Sequence, residues 1–387
     1  MSKTTFFSNK KKLGIVGGGQ LGKMLLKVCN QWDIHTKVLD PDKEAPSRNT
    51  CTEFTQGSLQ DFDTVYQFAK DCNVVTIEIE HVNVEALKKL ESEGIKVHPC
   101  AASLEIIQDK GLQKEFYKSN NLPTSNFVLF ENKIELLDAL KKDIIKIPFV
   151  QKTRKAGYDG RGVHIVQTED DLEKCFDCPC LVEEKINLLH EISIIVARNE
   201  EGEIKTFDAV LMDVHADANM LDLLLYPAPI DQNIREEAKK IAESLIEKMN
   251  ICGLLAVEFL IDMNKKVLIN EVAPRPHNSG HQTIESSTTS QYEQHIRGIL
   301  NLPLGSTHTI IPSAMVNLLG APNYTGDVVY DGIEKCLAQQ GVYIHIYGKK
   351  QTKPYRKMGH ATVTNNEISE AKKIATWVKQ QLQVISQ

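Results

Sequence analysis

The chain has 387 residues, 42% of them apolar and 25% charged, with a formal net charge of −6. That length predicts roughly two or three domains and a large buried core. The charge balance excludes a nucleic-acid partner held by a general positive field, and no stretch approaches the ~18 uninterrupted apolar residues of a membrane span. The N-terminal MSKTTFFSNKKKLGIVGGG has no apolar run followed by a small-residue cleavage site, so secretion is not expected. Nine cysteines, an odd number, point to reduced thiols and a cytoplasmic location rather than a disulfide framework.

Residues 13–16 read as a short strand, Gly17, Gly19 and Gly22 fit G-x-G-x-x-G, and Leu21, Met24, Leu25 and Val28 recur at helical spacing. A second strand ends at Asp40, before Pro41. A glycine turn entering a helix offers backbone N–H groups and positive dipole to an anion. Three readings stay open here: a dinucleotide site with Asp40 as its ribose acid, a tight turn with no ligand, or phosphate binding for another small substrate. A helix over 62–72, a strand over 74–81, a helix over 84–93 and a strand over 95–98 continue the alternation and predict a parallel sheet. Glu78, Glu80 and His81 fall at a strand's C-terminal end, where open α/β sheets bind ligands, although a loop cap is the plain alternative.

The organisation changes near residue 120. A turn at 121–125 and a helix over 134–142 lead to strand residues in 144–155 and then to Ala156-Gly-Tyr-Asp-Gly-Arg-Gly162. Glycines let the backbone approach phosphate closely, and Lys152, Arg154, Lys155 and Arg161 stand beside them. There is no G-K-[ST] ending, so this is not a P-loop. Val163-His-Ile-Val resumes a strand, so a hairpin loop that closes over a nucleotide fits both the plain and the functional reading.

Residues 254–272 read as a β-hairpin with a two-residue loop at Asn264-Lys265. That register sets Glu258 opposite Glu271, with Cβ atoms ~5 Å apart. Two carboxylates so close repel unless a proton or a cation lies between them. A hard divalent ion shared with substrate phosphates resolves this, which means Mg²⁺; a protonated pair doing acid–base work is the alternative. The loop that follows, Ala273-Pro-Arg-Pro-His-Asn-Ser-Gly-His281, offers Arg275, His277 and Asn278 to an anionic substrate. A metal reading of His277 and His281 is weakened by the prolines and glycine, and Cys175, Cys178 and Cys180 lack a second pair for zinc. Residues 235–249 read as an amphipathic helix with a solvated face, and 284–300 as one helix that mostly packs.

In this order the motifs resemble the ATP-grasp superfamily and, more closely, the N5-carboxyaminoimidazole ribonucleotide synthetases. The stretches GIVGGGQLGKML, EIEHVN, IIQDK, QKTRKAGYDGRG, LVEEKINLLHEISI, LLAVEF, LINEVAPRPHNSGH and YRKMGH carry the resemblance from Gly14 to His360. It implies a mixed α/β and α+β chain: a Rossmann-like parallel-sheet domain over 1–113, an ATP-grasp domain over 114–305 and a small strand-rich domain over 306–387. It also assigns the first glycine turn, with Gln20 and Leu21, to the ribonucleotide side rather than to a dinucleotide.

By position, the resemblance places Lys110 and Lys152 on the ATP phosphates and Gly157, Tyr158, Asp159, Gly160, Arg161 and Gly162 in the covering flap. Glu183, Glu184, Lys185 and Ile186 match an adenine-binding hinge, Glu191 a ribose contact, and His215 and Asn270 further nucleotide contacts. Glu258 and Glu271 match the magnesium ligands, with Mn²⁺ as the alternative ion. Tyr158, Asp159, Glu80, Arg275, His277, Asn278, Lys349, Arg356 and Lys357 match the side that receives aminoimidazole ribonucleotide, with Asp159, Arg275 and Lys349 the catalytic candidates. The implied reaction carboxylates that ribonucleotide with bicarbonate at the expense of ATP, in a homodimer without nucleic-acid or membrane partners. The base for the amine stays open between Asp159, Glu80 and released phosphate.

Two positions depart from the pattern. Lys110 stands where many relatives carry arginine, keeping the charge without the bidentate fork, and Ala156 replaces a frequent glycine. The first eleven residues have no counterpart and are expected to form a disordered extension. Three rivals remain at this point: a related ATP-grasp enzyme with another acyl donor such as formate, a dinucleotide-linked oxidoreductase, and a catalytically silent nucleotide sensor.

Overall fold

A computed structural model describes residues 6–8, 10–155, 162–215 and 220–387. The first unit is doubly wound. Strands β1 (Lys12–Val16), β2 (His35–Asp40), β3 (Glu53–Gln56), β4 (Val74–Ile77) and β5 (Lys96–His98) form one parallel sheet in the order β3-β2-β1-β4-β5. Helices α1 (Gln20–Gln31), α2 (Phe62–Ala69), α3 (Val84–Ser92) and α4 (Ala101–Ile107) link its strands or follow the last of them. The central strands β1 and β4 are buried along their length apart from Lys12, because helices cover both faces of the sheet, as parallel sheets require. Of the first eleven residues, expected to extend freely, 1–5 and 9 lie outside the described residues; Phe6 packs against the core beside α1, and the Phe7 ring meets Trp32 edge-on at 6.0 Å.

Helix α5 (Lys110–Ser119) leads out of this unit into an antiparallel sheet of β6 (Phe127–Phe130), β7 (Phe149–Thr153), β8 (Val163–Val166) and β9 (Cys180–Glu184), ordered β6-β9-β7-β8 and backed by α6 (Lys133–Lys141). The β7–β8 hairpin pairs Lys152 with Val163, and the Thr153 amide donates to the Gly162 carbonyl at 2.8 Å. The glycine-rich loop therefore springs from a paired base, but Gly157, Tyr158, Asp159, Gly160 and Arg161 lie outside the described residues.

A nine-stranded sheet follows, from β10 (Leu188–Arg198), β11 (Ile204–Thr206), β12 (Val210–His215), β13 (Met220–Tyr226), β14 (Gly253–Asp262) and β15 (Val267–Ala273). Helix α7 (Gln232–Lys248) packs on one face through Ile234, Ala238, Ala242 and Leu245. Residues 284–300 are not one helix. They hold α8 (Thr283–Ser286) and α9 (Gln291–Ile299), because the Ser/Thr run 286–290 breaks the helix and Ser290 caps α9 through the Glu293 amide at 3.2 Å. Helix α9 wedges Tyr292, Ile296 and Ile299 against Leu21 and Met24 of α1, joining the first unit to the large sheet.

The C-terminal segment does not stand apart. Its β16 (Ser313–Leu319) pairs with β13, so the large sheet runs β15-β14-β10-β12-β13-β16 and on into later strands. Those are β17 (Gly326–Asp331), β18 (Val342–Ile346), β19 (Gln351–Thr352), β20 (Lys357–Thr364) and β21 (Gln383–Ser386), with helices α10 (Ile333–Leu337) and α11 (Ile368–Gln381). Strands β20 and β18 complete the large sheet, while β19, β17 and β21 form a small separate one. Among the described residues no helix is long and apolar enough to cross a membrane.

Candidate active site

The glutamate hairpin is built differently from its sequence reading, yet it reaches the same pairing. Its loop has three residues, 263–265, not two: Asp262 and Lys266 close it, and Lys265 adopts the left-handed conformation with φ 65°. Strands β14 and β15 are thereby offset by one residue near the turn, with Phe259 opposite Ile269. A bulge at Asn270 then takes up the extra residue, so Glu258 faces Glu271 after all. The bulge also lets Asn270 and Glu271 both reach lysines: Asn270 Oδ1 accepts from Lys152 Nζ at 2.9 Å, and Glu271 Oε2 from Lys110 Nζ at 2.8 Å.

Helix α5 supplies the lysine wall. Asp109 caps it by accepting from the Gly111 and Leu112 amides, and the same carboxylate takes a two-pronged ion pair from Arg154 at 2.9 and 3.0 Å. Lys110 and Lys114, one turn apart, project from one helix face. Together with Gln113, Lys152, Leu181, Asn270 and Glu271 they line a cavity. Glu183 is its pivot: one oxygen meets Lys114 at 2.5 Å and the other Lys152 at 2.7 Å. Burial pushes the Glu183 carboxyl up, but the ammonium groups of Lys152 and Lys114 outweigh it and hold the carboxyl far below its ordinary range. Lys114 was not anticipated; in the sequence it is one polar residue among many on a helix.

The acids of the cleft are unequal. The Lys110 charge holds Glu271 low, at about 2, whereas burial and then the Glu271 charge raise Glu258 well above its usual value. Glu191 on β10 is also pushed up, first by burial and then by Glu271. Two facing carboxylates, one of them resisting ionisation, form a donor set that a hard divalent cation relieves; phosphate oxygens and water would complete its coordination. Among the described residues no group of three His, Cys, Asp or Glu side chains converges on a metal point, so neither Cys175, Cys178 and Cys180 nor the histidines make a closed protein-only site. His277 and His281 diverge: His277 Nε2 lies 3.8 Å from Glu258, whereas His281 is buried against Tyr292 and His360.

The first glycine turn does bind an anion, and the anion is the protein's own. Glu78 accepts from the Gly19 amide at 3.2 Å and the Leu21 amide at 3.1 Å, while Asp40 accepts from Gly18 at 2.7 Å. Gly17 has φ 104°, which favours glycine, and a Cβ at Gly19 would lie 2.6 Å from Glu78 Oε1, so the carboxylate would have to shift. This overturns the dinucleotide reading: the amides and the candidate ribose acid are already spent on each other. The Leu21 amide is thus engaged within the chain, while Gln20 lines a second cavity with Lys23 and Tyr347.

With this geometry in place, the chain can be set beside known proteins. Residues 10–108 match the ribonucleotide synthetase preATP-grasp domain, 115–292 the ATP-grasp domain and 313–374 the phosphoribosylaminoimidazole carboxylase C-terminal domain. The N5-carboxyaminoimidazole ribonucleotide synthetase of Thermotoga maritima superposes with a TM-score of 0.90 and 41% identity, covering 97% of this chain and all of that one. The chain belongs to the N5-carboxyaminoimidazole ribonucleotide synthetase family. A member from Aspergillus clavatus in complex with ADP and 5-aminoimidazole ribonucleotide gives a TM-score of 0.85 at 31% identity over 95% of this chain and 96% of that one. Phosphoribosylaminoimidazole carboxylase from Vigna aconitifolia is 34% identical over 92% of this chain, which spans only 64% of that longer protein.

The remaining candidate positions are placed by contacts of their own. Glu184 lies at the end of β9, bonded to Asn126, and Lys185 and Ile186 form the connection to β10. His215 is placed on β12 by its register with Met220. Arg275 reaches across to Glu80 at 2.8 Å, tying the proline loop to the first unit. Asn278 exchanges two hydrogen bonds of 2.9 Å with Asn317 of β16. Lys349 donates to the Lys357 carbonyl at 2.7 Å, Arg356 to the Gln351 carbonyl at 2.6 Å, and the Lys357 charge acts on Glu258.

Proposed function

We propose that the chain carboxylates 5-aminoimidazole ribonucleotide with bicarbonate and ATP, giving the N5-carboxyamino product, ADP and phosphate. The observation that carries this reading is the Glu258–Glu271 pair held beside Lys110 and Lys152 in one cleft. Lys110 and Lys152 meet the triphosphate, the backbone of residues 183–186, from the end of β9 into its connection to β10, faces the base, and Glu191 the ribose. Glu258 and Glu271 would hold Mg²⁺, or Mn²⁺ in its place, which supplies neutralisation of the triphosphate charge.

A bicarbonate oxygen attacks the γ-phosphorus as the bond to the β-phosphate oxygen breaks, so ADP leaves and carboxyphosphate forms. Such transfer asks mainly for positioning and charge stabilisation, which the lysines provide. Carboxyphosphate then loses phosphate to give CO₂, the exocyclic amine forms the new C–N bond, and a base removes the amine proton. Arg275, His277, Asn278, Lys349, Arg356 and Lys357 surround the ribonucleotide, with Asp159, Glu80 or the released phosphate as base.

The same reading includes a homodimer, by family likeness, and a cytoplasmic location, which the nine free thiols suit. Phosphate release measured with and without bicarbonate and the ribonucleotide tests it. Release that needs bicarbonate and consumes the ribonucleotide is expected; release driven by formate instead would assign another acyl donor and contradict it.

A further inference from the structure

Gln291 lies in the segment 284–300 read as a helix that mostly packs; it is fully buried, and its amide is directed at the proline loop. Its Oε1 accepts from the His277 N–H at 2.9 Å, and its Nε2 donates to the His277 carbonyl at 2.8 Å. One side-chain amide thus pairs with both backbone groups of His277, as a neighbouring strand would. The same Nε2 lies 3.2 Å from His281 Nδ1, which Tyr292 Oη also meets at 2.8 Å. An amide nitrogen only donates, so His281 Nδ1 is the acceptor. Two features hold Gln291 in turn. Its own N–H donates to Thr283 Oγ1 at 2.8 Å, and that hydroxyl donates to the Gly280 carbonyl at 2.6 Å. A Cβ at Gly280 would lie 2.4 Å from Gln291 Oε1, so only glycine there admits the amide.

The far side of the loop faces the cleft. The His277 ring sits between Ser279 Oγ at 2.9 Å and Glu258 at 3.8 Å, Ser279 continues to Ser193 at 2.8 Å, and Asn278 is locked to Asn317. With its backbone clamped from behind, His277 has little freedom in where its ring lies. We propose that Gln291 is a positioning residue for the ribonucleotide side, acting through the backbone of His277 and setting where His277 and Asn278 meet the substrate. It touches no reacting atom; it sets the loop's geometry, and misplacement of a binding group is costly in catalysis.

This inference rests on the ribonucleotide reading proposed above, and its test separates the two. In Gln291→Glu a carboxylate still accepts from the His277 N–H but opposes the His277 carbonyl, acceptor against acceptor. Gln291→Met keeps the length and removes both bonds. Each variant is expected to raise the KM for 5-aminoimidazole ribonucleotide about tenfold, equivalent to about 1.4 kcal/mol, while the KM for ATP moves less than twofold. Hydrogen exchange of residues 274–281 should quicken in Gln291→Met with the rest of the chain unchanged, a readout that does not depend on turnover. Equal rises in both KM values, or an unchanged ribonucleotide KM, would overturn the positioning role, as would unaltered exchange in the loop. A wild-type chain whose bicarbonate-dependent phosphate release ignored the ribonucleotide would overturn the functional reading itself.

Discussion

Replacing Lys110 by methionine removes the ammonium 2.8 Å from Glu271 and with it a positive charge proposed to meet the triphosphate. Two effects oppose each other. The wild type has to give up the Lys110–Glu271 pair when a phosphate arrives, and the variant does not. Glu271 is held at about 2 chiefly by Lys110, but its side chain keeps 47% of its surface in solvent, so that pair is discounted to about 0.5–1 kcal/mol. Against this, a hydrogen bond from a charged donor to phosphate contributes about 1.5–3 kcal/mol. The difference leaves about 1 kcal/mol or somewhat more, so the ATP KM should rise about five- to twentyfold in Lys110→Met. Lys110→Arg should restore most of it, since arginine keeps the charge and adds a fork suited to phosphate. Initial rates of ADP release, varying ATP at saturating bicarbonate and ribonucleotide, give the number directly. An ATP KM within twofold of wild type, with the ribonucleotide KM raised instead, would refute the placement of Lys110 on the triphosphate.

Other consequences can be checked alongside it. Glu183→Leu should destabilise the fold by about 3–5 kcal/mol, because Lys114, only 3% exposed, is left buried without a counter-charge; Lys114→Met added to it should recover much of the loss in thermal melting. The Glu183 carboxyl is depressed below its ordinary value of 4.5, so its contribution is full above that pH and is lost as the pH falls. The wild type should therefore lose melting temperature on acidification more steeply than the Glu183→Leu/Lys114→Met pair, and equal slopes would contradict the clamp. Arg275→Ala should raise the ribonucleotide KM far more than the ATP KM in steady-state assays; the reverse order would move Arg275 to the nucleotide side.

How much of this was legible depends on how local the signal was. Glu258 and Glu271 stood out because charges rarely interrupt such apolar strands, and their pairing survived a wrong loop length only because the bulge at Asn270 absorbed the extra residue. Neither the loop length nor the bulge leaves a trace in the alternation of residue types. The glycine turn was read as offering amides to a ligand anion, yet Glu78, 59 residues from Gly19, takes two of them; that depends on β4 lying beside β1. Lys114 and Gln291 look like routine helix residues, and their meaning comes from distant partners. The run 286–290 did carry a visible helix break in its five consecutive Ser and Thr residues, and the apolar spacing around it masked the signal.

The most direct measurement is phosphate release from ATP by wild type and Glu271→Gln, each with and without bicarbonate, with melting curves for both. Glutamine keeps the shape and removes the charge facing Glu258. Bicarbonate-stimulated release in the wild type, nearly abolished in a variant that melts like it, is the predicted outcome. A Glu271→Gln protein as active as the wild type would contradict the account.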